Sequence, residues 1–443
     1  MSAWKDMPSN TASSGRLLFM AMATALVAIA SGQSSNPTTY TKGDRDLAFS
    51  LLHHAHAGIV SHYFDPSHIP GDFPAMVEDA RQRLQQTRSN NESFAVIANL
   101  LGAVDTRHIR LIPLPRQAVV RHDWDWTLVD DKAYVRVVNA DSDADKKGVK
   151  RGDRVLQIEA LPVNRLTADR ISYAYLSISP RPTLRVLLQS PNEDPRWVEI
   201  TGQILRTNEK LWTPAGIFYA PPHDKQSAIK PSANHRIHDG ILIWRPTELV
   251  FGEVQLRRMN RELNAARALV LDLRSLSLGS HENTMKACSL FFDETFTAYT
   301  IDRRQAIEAI TVRGTARAFK KPIIVLTNAY TAYAAEALAY VLQSRNRALV
   351  MGDRSAGKFR VLEVYQLLDK FHSTHTSIYN FMTLPVAKVI VSTDNDLEGK
   401  GVTPDHLILP TAEDYIHRRD PALAKAIETL GGIFPLDGLG ETY

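Results

Sequence analysis

Residues 327–358 read TNAYTAYAAEALAYVLQSRNRALVMGDRSAGK, and the fold is decided there. The apolar run just before it, PIIVL at 322–326, has the length and composition of a buried strand. A turn follows, a helix opens at about Tyr333, and a second strand at 348–351 leads through a glycine turn to Lys358. The same alternation continues on the N-terminal side. ILIWRP near 241, an amphipathic helix near 253–266, ALVLDL at 268–273 and a helix around Cys288 precede the quoted stretch. Hydrophobic strands alternating with helices predict an α/β core over 240–430, built on a central, mostly parallel sheet.

Working outward, the stretch resembles the nucleophile-to-base segment of the C-terminal processing (tail-specific) peptidases, family S41. The family pattern is approximately N-x-x-S-A-S-A-x-E, then R-A-L-V-x-G-x-x-x-x-G-K. Glu336 and Lys358 stand in this pattern, and the position that satisfies both spacings is Tyr333. Two further motifs are similar in order and spacing: LDLRSLSLGS at 271–280 and EGKGVTPD at 398–405. A looser match, LGAVDTRHIRLIPL at 101–114, resembles the family lead-in, with Asp105 and His108 one residue further apart than usual. The resemblance implies an S41 (ClpP/crotonase-like) core in which neutral Lys358 would act as general base, and a glycine loop near Gly279 would hold the oxyanion.

Three departures weaken that chemistry. Tyr333 stands at the nucleophile position, where a phenol titrates near pH 10 and its ring occupies the space a scissile carbonyl needs. Of the family's glycine loop only Gly279 remains, with Leu276 at the usual Asn and Leu278 beside it, which removes backbone freedom for aiming an N–H. The glutamine expected four residues after the lysine is Leu362, and the glycine right after it is Phe359. Thr331 is the alternative hydroxyl, although a turn hydrogen bond or helix cap accounts for it better. Ser355 reads as a turn residue, and Asp272 and Arg274 read as groups pinning a strand end.

Between 115 and 205 the pattern shifts to short β runs. ADKKGVKRGDRVLQI at 144–158 is similar to the PDZ signature A-x-x-A-G-L-x-x-G-D-x-I-L-x-I. That likeness implies a domain that adds a polypeptide C-terminus as an extra strand, with Gly148, Gly152 and Asp153 as the peptide-binding candidates. The customary Gly-Leu-Gly carboxylate loop is missing, and WDWTLVDD at 124–131 stands in its place.

The chain of 443 residues is long enough for two or three domains. A net charge of +4, spread along the sequence, gives no footprint for nucleic acid. Cys288, the only cysteine, excludes an intrachain disulfide and lies in the apolar run MKACSLFF, as a core thiol would. His53, His54, His56 and His62 lack metal-ligand spacing, so neither a metal nor a cofactor is expected. Lys5 and Arg16 precede an apolar run at 17–30 that ends Ala28-Ile29-Ala30, the layout of a cleaved signal peptide.

The expected organisation is therefore a signal peptide (1–30), a helical segment (31–114), a PDZ-like domain (115–205), a linker (206–239), the α/β core (240–430) and a tail (431–443). The expected protein is exported, periplasmic or secreted, and not stably inserted in a membrane after cleavage. It binds polypeptide C-termini and has lost hydrolysis. The alternatives are an active endopeptidase with a rearranged nucleophile and a binder of apolar small ligands on the same core.

Overall fold

The computed structural model describes residues 40–113, 118–206, 235–246, 253–274, 276–277, 280–304, 306–367, 380–391 and 397–434. The signal-peptide reading of 1–30, Gly279 and most of the 206–239 linker lie outside these residues.

The chain begins with three helices, α1 (Lys42–His62), α2 (Phe73–Gln86) and α3 (Asn90–Val104). Thr41 and Asp44 cap α1 reciprocally, and the Ser89 hydroxyl caps α3 through the Glu92 amide. Leu51, Leu52, Ile59, Leu84, Ile97 and Leu101 form their shared core. This is the helical segment read from the sequence.

A β-rich unit follows. It comprises β1 (Arg110–Ile112), β2 (Ala118–Arg121), β3 (Trp124–Val129), β4 (Lys132–Val138), α4 (Asp143–Lys146), β5 (Arg154–Ile158) and β6 (Leu161–Pro162). It continues through α5 (Ala168–Ser172), which runs into a π-helical turn at Tyr173–Ile178, then β7 (Thr183–Gln189), β8 (Arg196–Thr201) and β9 (Gln203–Arg206). Strands β3-β4-β5-β7-β8 make one antiparallel sheet with β6 beside β5, and β3 lies at its edge. β1 leaves this unit to pair with a later strand.

The second half carries β10 (His235–His238), β11 (Ile241–Trp244), α6 (Glu253–Ala265), β12 (Ala268–Asp272), α7 (His281–Cys288), β13 (Phe296–Arg303) and β14 (Ala306–Val312). After these come β15 (Ile323–Thr327), α8 (Ala334–Ser344), β16 (Leu349–Gly352), β17 (Arg360–Leu367), β18 (Asn380–Ile390), β19 (His406–Leu407), α9 (Ala412–Ile416) and α10 (Pro421–Thr429). The sheet order is β10-β11-β12-β15-β16-β19, parallel except for β10.

Every residue of β12 and β15 is buried, because alternate side chains enter two different cores. Leu269, Leu271, Ile323 and Val325 pack with α7 and α8, whereas Ala268, Val270, Ile324 and Leu326 pack with α10. Cys288 is fully buried in the first of these cores, where loss of solvation pushes its thiol up.

A second, antiparallel sheet, β1-β18-β13-β14 with β17 on β18, was not foreseen. It joins the helical segment to the core: β1 pairs with β18, whose Met382 and Leu384 enter the helical cluster.

Gly352 closes β16 with φ +113°, and a β-carbon there would lie 2.4 Å from the Thr327 carbonyl oxygen. Gly352→Ala is expected to cost about 2–4 kcal/mol through strain and backbone clash. Gly148→Ala, at φ +72° but facing open space, should cost only about 1–2 kcal/mol. Urea unfolding of the two variants checks this, and equal losses would contradict the packing account.

Candidate functional site

The site lies where β15 turns into α8. Tyr333 caps that helix with φ +52° and ψ −115°, a region that residues with a β-carbon rarely enter. Local hydrogen bonds fix this sharp strand-to-helix elbow. The Ala332 amide donates to the Leu276 carbonyl (3.1 Å), the Tyr333 amide to the Lys358 carbonyl (3.0 Å) and the Ala337 amide to the Tyr333 carbonyl (2.9 Å). Small neighbours, Ala332, Ala334 and Ala335, let the backbone turn so tightly.

Glu336, fully buried on α8, holds the lysine loop. It accepts from the Gly357 amide (2.6 Å), the Lys358 amide (2.8 Å) and the Ser355 hydroxyl. Burial outweighs these bonds and pushes its carboxyl up to about 7. Ser355 is thereby committed to structure, as its reading as a turn residue implied; its oxygen also accepts from the Val402 amide (2.7 Å).

Tyr333 and Lys358 meet through the backbone hydrogen bond already described. Lys358 is buried, and loss of solvation pulls its ammonium down to about 8 even though Asp169 opposes the shift. Its Nζ is ion-paired with Asp169, which α5 supplies from the β-rich unit. Burial works against the Asp169 charge, but Lys358 and Arg110 hold its carboxyl below the usual range. No local sequence pattern marks Asp169, which only tertiary packing brings to Lys358.

The Tyr333 phenol reaches a second pair of residues. Its oxygen lies 3.3 Å from His108 Nδ1, and His108 Nε2 lies 2.9 Å from Glu398 Oε1. His108 is only 3% exposed, so this is a buried chain of three polar groups. Burial disfavours the Glu398 charge, but the hydrogen bond and charge of His108 hold its carboxyl below the usual range. An ionised carboxylate has no proton to give. Nε2 therefore donates to Glu398, and Nδ1 faces the Tyr333 hydroxyl. Burial pushes the Tyr333 phenol well above its ordinary range. Both partners lay in quoted motifs, LGAVDTRHIRLIPL and EGKGVTPD, but 290 residues separate them and neither was read as part of the site.

Other candidates fall elsewhere. The Thr331 hydroxyl donates to the Leu273 carbonyl (3.0 Å) and accepts from the Asn328 amide (3.0 Å), so it serves the turn. Asp272 accepts from Arg245 and Arg274, and Arg274 continues to Asp420 at the start of α10, which ties down the strand end. Gly148, Gly152 and Asp153 lie in the turn between α4 and β5. A β-carbon on Gly152 would meet the Ala412 carbonyl of α9 at 2.7 Å, and Asp153 pairs with Arg196.

None of the three lines the small apolar gap in the core of this unit. That gap lies between β3 and α5, among core residues Trp124, Trp126, Ile158, Ile171, Tyr175 and Leu184. The edge of β3 beside it is occupied, since the Leu128 amide donates to the Tyr330 hydroxyl (3.2 Å) and the Asp130 amide to Asp353 (2.7 Å).

With this geometry in place, comparison with known proteins is specific. Residues 251–408 match the model of Peptidase family S41. Carboxyl-terminal-processing peptidase 2, chloroplastic, of Arabidopsis thaliana is 33% identical over 144 residues, covering 32% of this chain and 26% of the relative. The carboxyl-terminal-processing protease of Synechocystis sp. is 23% identical over 283 residues, covering 64% and 60%. The chain thus spans between about a quarter and about three fifths of these two relatives. Among solved structures, mature CPAF aligns with a TM-score of 0.61 at 14% identity, over 85% of this chain and 95% of that one. The likeness to CPAF is one of fold.

The raised Glu336 carboxyl has a consequence for stability. A folded-state value of about 7 against an ordinary 4.5 means that the folded chain holds this proton more tightly than the unfolded one. Its stabilising effect is complete below about pH 4.5 and is lost as pH rises through about 7, a change on the order of 3 kcal/mol. Glu336→Gln cannot ionise and should lack this component. Unfolding free energies of both proteins across pH 4.5–8 provide the check, and parallel curves would show that Glu336 does not titrate there.

Proposed function

We propose, from the match of residues 251–408 to the model of Peptidase family S41, that the chain is an exported member of that family that binds polypeptide but has lost serine-type hydrolysis. The observation that carries this reading is the elbow itself: the position that presents a nucleophile in this layout holds Tyr333. Its ring fills the space in front of the helix, and its phenol keeps its proton at neutral pH. The second support is Lys358. A general base must be neutral and free to accept a proton, whereas this lysine is held in an ion pair by Asp169.

Polypeptide binding is supported by the edge position of β3 in its antiparallel sheet, the kind of edge used for strand addition. By analogy with relatives named for carboxyl-terminal processing, the segment bound would be a polypeptide C-terminus. Export rests on the apolar run at 17–30. No described helix is long and apolar enough to cross a membrane.

Two outcomes are expected. Incubated with an unstructured polypeptide, the purified protein should show no turnover that Lys358→Ala changes. Tyr333→Ser alone should recover little, because Leu276, Leu278 and Leu362 remain, and changing all four to the family's residues should recover more. Robust wild-type cleavage abolished by Lys358→Ala would overturn this reading.

Peptides with a free apolar C-terminus should bind with micromolar affinity, about −8 kcal/mol, and amidation should weaken them. Tyr330→Phe removes the hydroxyl that competes for the Leu128 amide and should tighten binding about 5-fold, the worth of one hydrogen bond of about 1 kcal/mol. Titration calorimetry reads both effects, and equal affinity for free and amidated peptides would rule out carboxylate recognition.

A further inference from the structure

Arg110 is a cation that the fold positions but does not pair. It opens β1, where its amide donates to the Thr383 hydroxyl (3.0 Å) and its guanidinium lies over the Tyr173 ring, 4.5 Å from the centroid. Tyr173 is fixed in turn, since its hydroxyl accepts from the Leu111 amide (2.7 Å) and donates to the Leu111 carbonyl (3.1 Å). Among the described residues the guanidinium has no hydrogen-bond acceptor and no ion-pair partner, although it is only partly exposed.

We propose that Arg110 is the carboxylate anchor of the bound polypeptide, its planar fork taking the terminal α-carboxylate beside the Lys358–Asp169 pair. This inference rests on the polypeptide-binding reading and says where the carboxylate goes.

The neighbouring charges leave Arg110 as the group to receive it. Its charge acts on Asp169, Lys358 and Tyr333, which places it at the elbow site. The acids there are already engaged. Asp169 pairs with Lys358, and Glu398 takes His108 Nε2 (2.9 Å) and the Phe359 amide (2.7 Å). Asp105 accepts from the Arg107 and His108 amides (2.9 and 3.0 Å). Two further cations are also engaged: Arg107 donates to the Ala356 carbonyl (3.2 Å), and Arg360 lies over Phe64 and 4.0 Å from Glu398. Of these cations Arg110 keeps its donors unused.

A guanidinium presents two parallel N–H groups that match a carboxylate. Stacking on a fixed ring sets the plane of that fork before a ligand arrives, which lowers the ordering cost of binding. The β3 edge leads to the same place. Its Leu128 amide rests on the Tyr330 hydroxyl, and Tyr330 feels the charge of Asp169. A strand added at β3 therefore comes to the charged cluster that holds the one unused fork.

Titration calorimetry on the full chain tests this with acetylated tetra-alanyl-leucine, as the free acid and as the C-terminal amide. Wild type should prefer the free acid by about 10-fold or more, the worth of a hydrogen bond to a charged group. In Arg110→Gln the free acid should fall to the affinity of the amide, while the amide binds as before. Arg110→Lys keeps the charge and loses the fork, and should recover part of the preference. Thermal unfolding of each variant establishes that it is folded. Should Arg110→Gln fail to fold, wild type decides the matter through phenylglyoxal, which modifies arginine. The free acid should shield Arg110 from it and the amide should not, as mapped by peptide mass spectrometry. A free-acid preference that survives Arg110→Gln, an equal loss of both peptides in that variant, or no shielding of Arg110 would overturn the anchor and leave polypeptide binding standing. Failure of both peptides to bind wild type would overturn polypeptide binding and the anchor with it.

Discussion

The site depends on one buried carboxylate. Glu336 has no exposure, and it satisfies two backbone amides and one hydroxyl on the loop that carries Lys358. Burying an acid costs several kcal/mol unless its oxygens are paired, and here the pairing is what gives the loop its shape. Through Ser355 the same node reaches the Val402 amide. A β-carbon on Gly357 would stand 2.9 Å from the Gly399 backbone, so the lysine loop and the EGKG turn can pack together only because glycine is present. The Phe359 amide then donates to Glu398, which in turn meets His108. Helix, lysine loop and glycine turn form one unit, and a change at Glu336 would be felt at both Lys358 and Glu398.

What the sequence made legible was whatever local pattern and spacing determine. The parallel strands could be read because burial on both faces writes continuous apolar runs, as in ALVLD and IIVLT. Glu336 and Lys358 could be read because both lie within one β-α-β segment. His108, Asp169 and Glu398 could not be read as a site, since each arrives from a different unit and only tertiary packing brings it to Tyr333. The second sheet escaped notice for a related reason. Its outer strand β14 is largely exposed, with burial on only two of its seven residues, so it leaves no apolar run. The glycine signature at 144–158 marks the turn between α4 and β5. Gly152 must be glycine because α9 packs on it, a requirement of the fold.

The charges at the junction explain why the β-rich unit and the core sit as they do. Arg165 of the β-rich unit pairs with Asp353 (2.8 Å) and donates to the Arg354 and Ser355 carbonyls. Asp169 pairs with Lys358, and the Leu128 amide rests on Tyr330. Lysine, arginine and aspartate buried at such a contact are tolerable only in pairs, because removing one partner strands a charge away from water. The same contacts occupy the base and cover the free edge of β3. A polypeptide adding to β3 would therefore have to compete with the core for backbone hydrogen bonds, which would favour a weak and selective ligand over a tight one.

The strain at Tyr333 supplies the last step. The hydrogen bonds that impose the elbow come from the backbones of Leu276, Lys358 and Ala337, and none requires a particular side chain at position 333. The geometry that presents a nucleophile is thus a property of the fold, carried whatever residue stands there. A serine in that place would offer a short hydroxyl close to the helix amides. A tyrosine carries its hydroxyl across the width of a ring, and in this chain it arrives beside an imidazole whose other nitrogen is held by a carboxylate. The backbone shape of the elbow is independent of the side chain at 333, and the reach of that side chain is not. It is reach, more than scaffold, that decides which carbonyl such a site can meet.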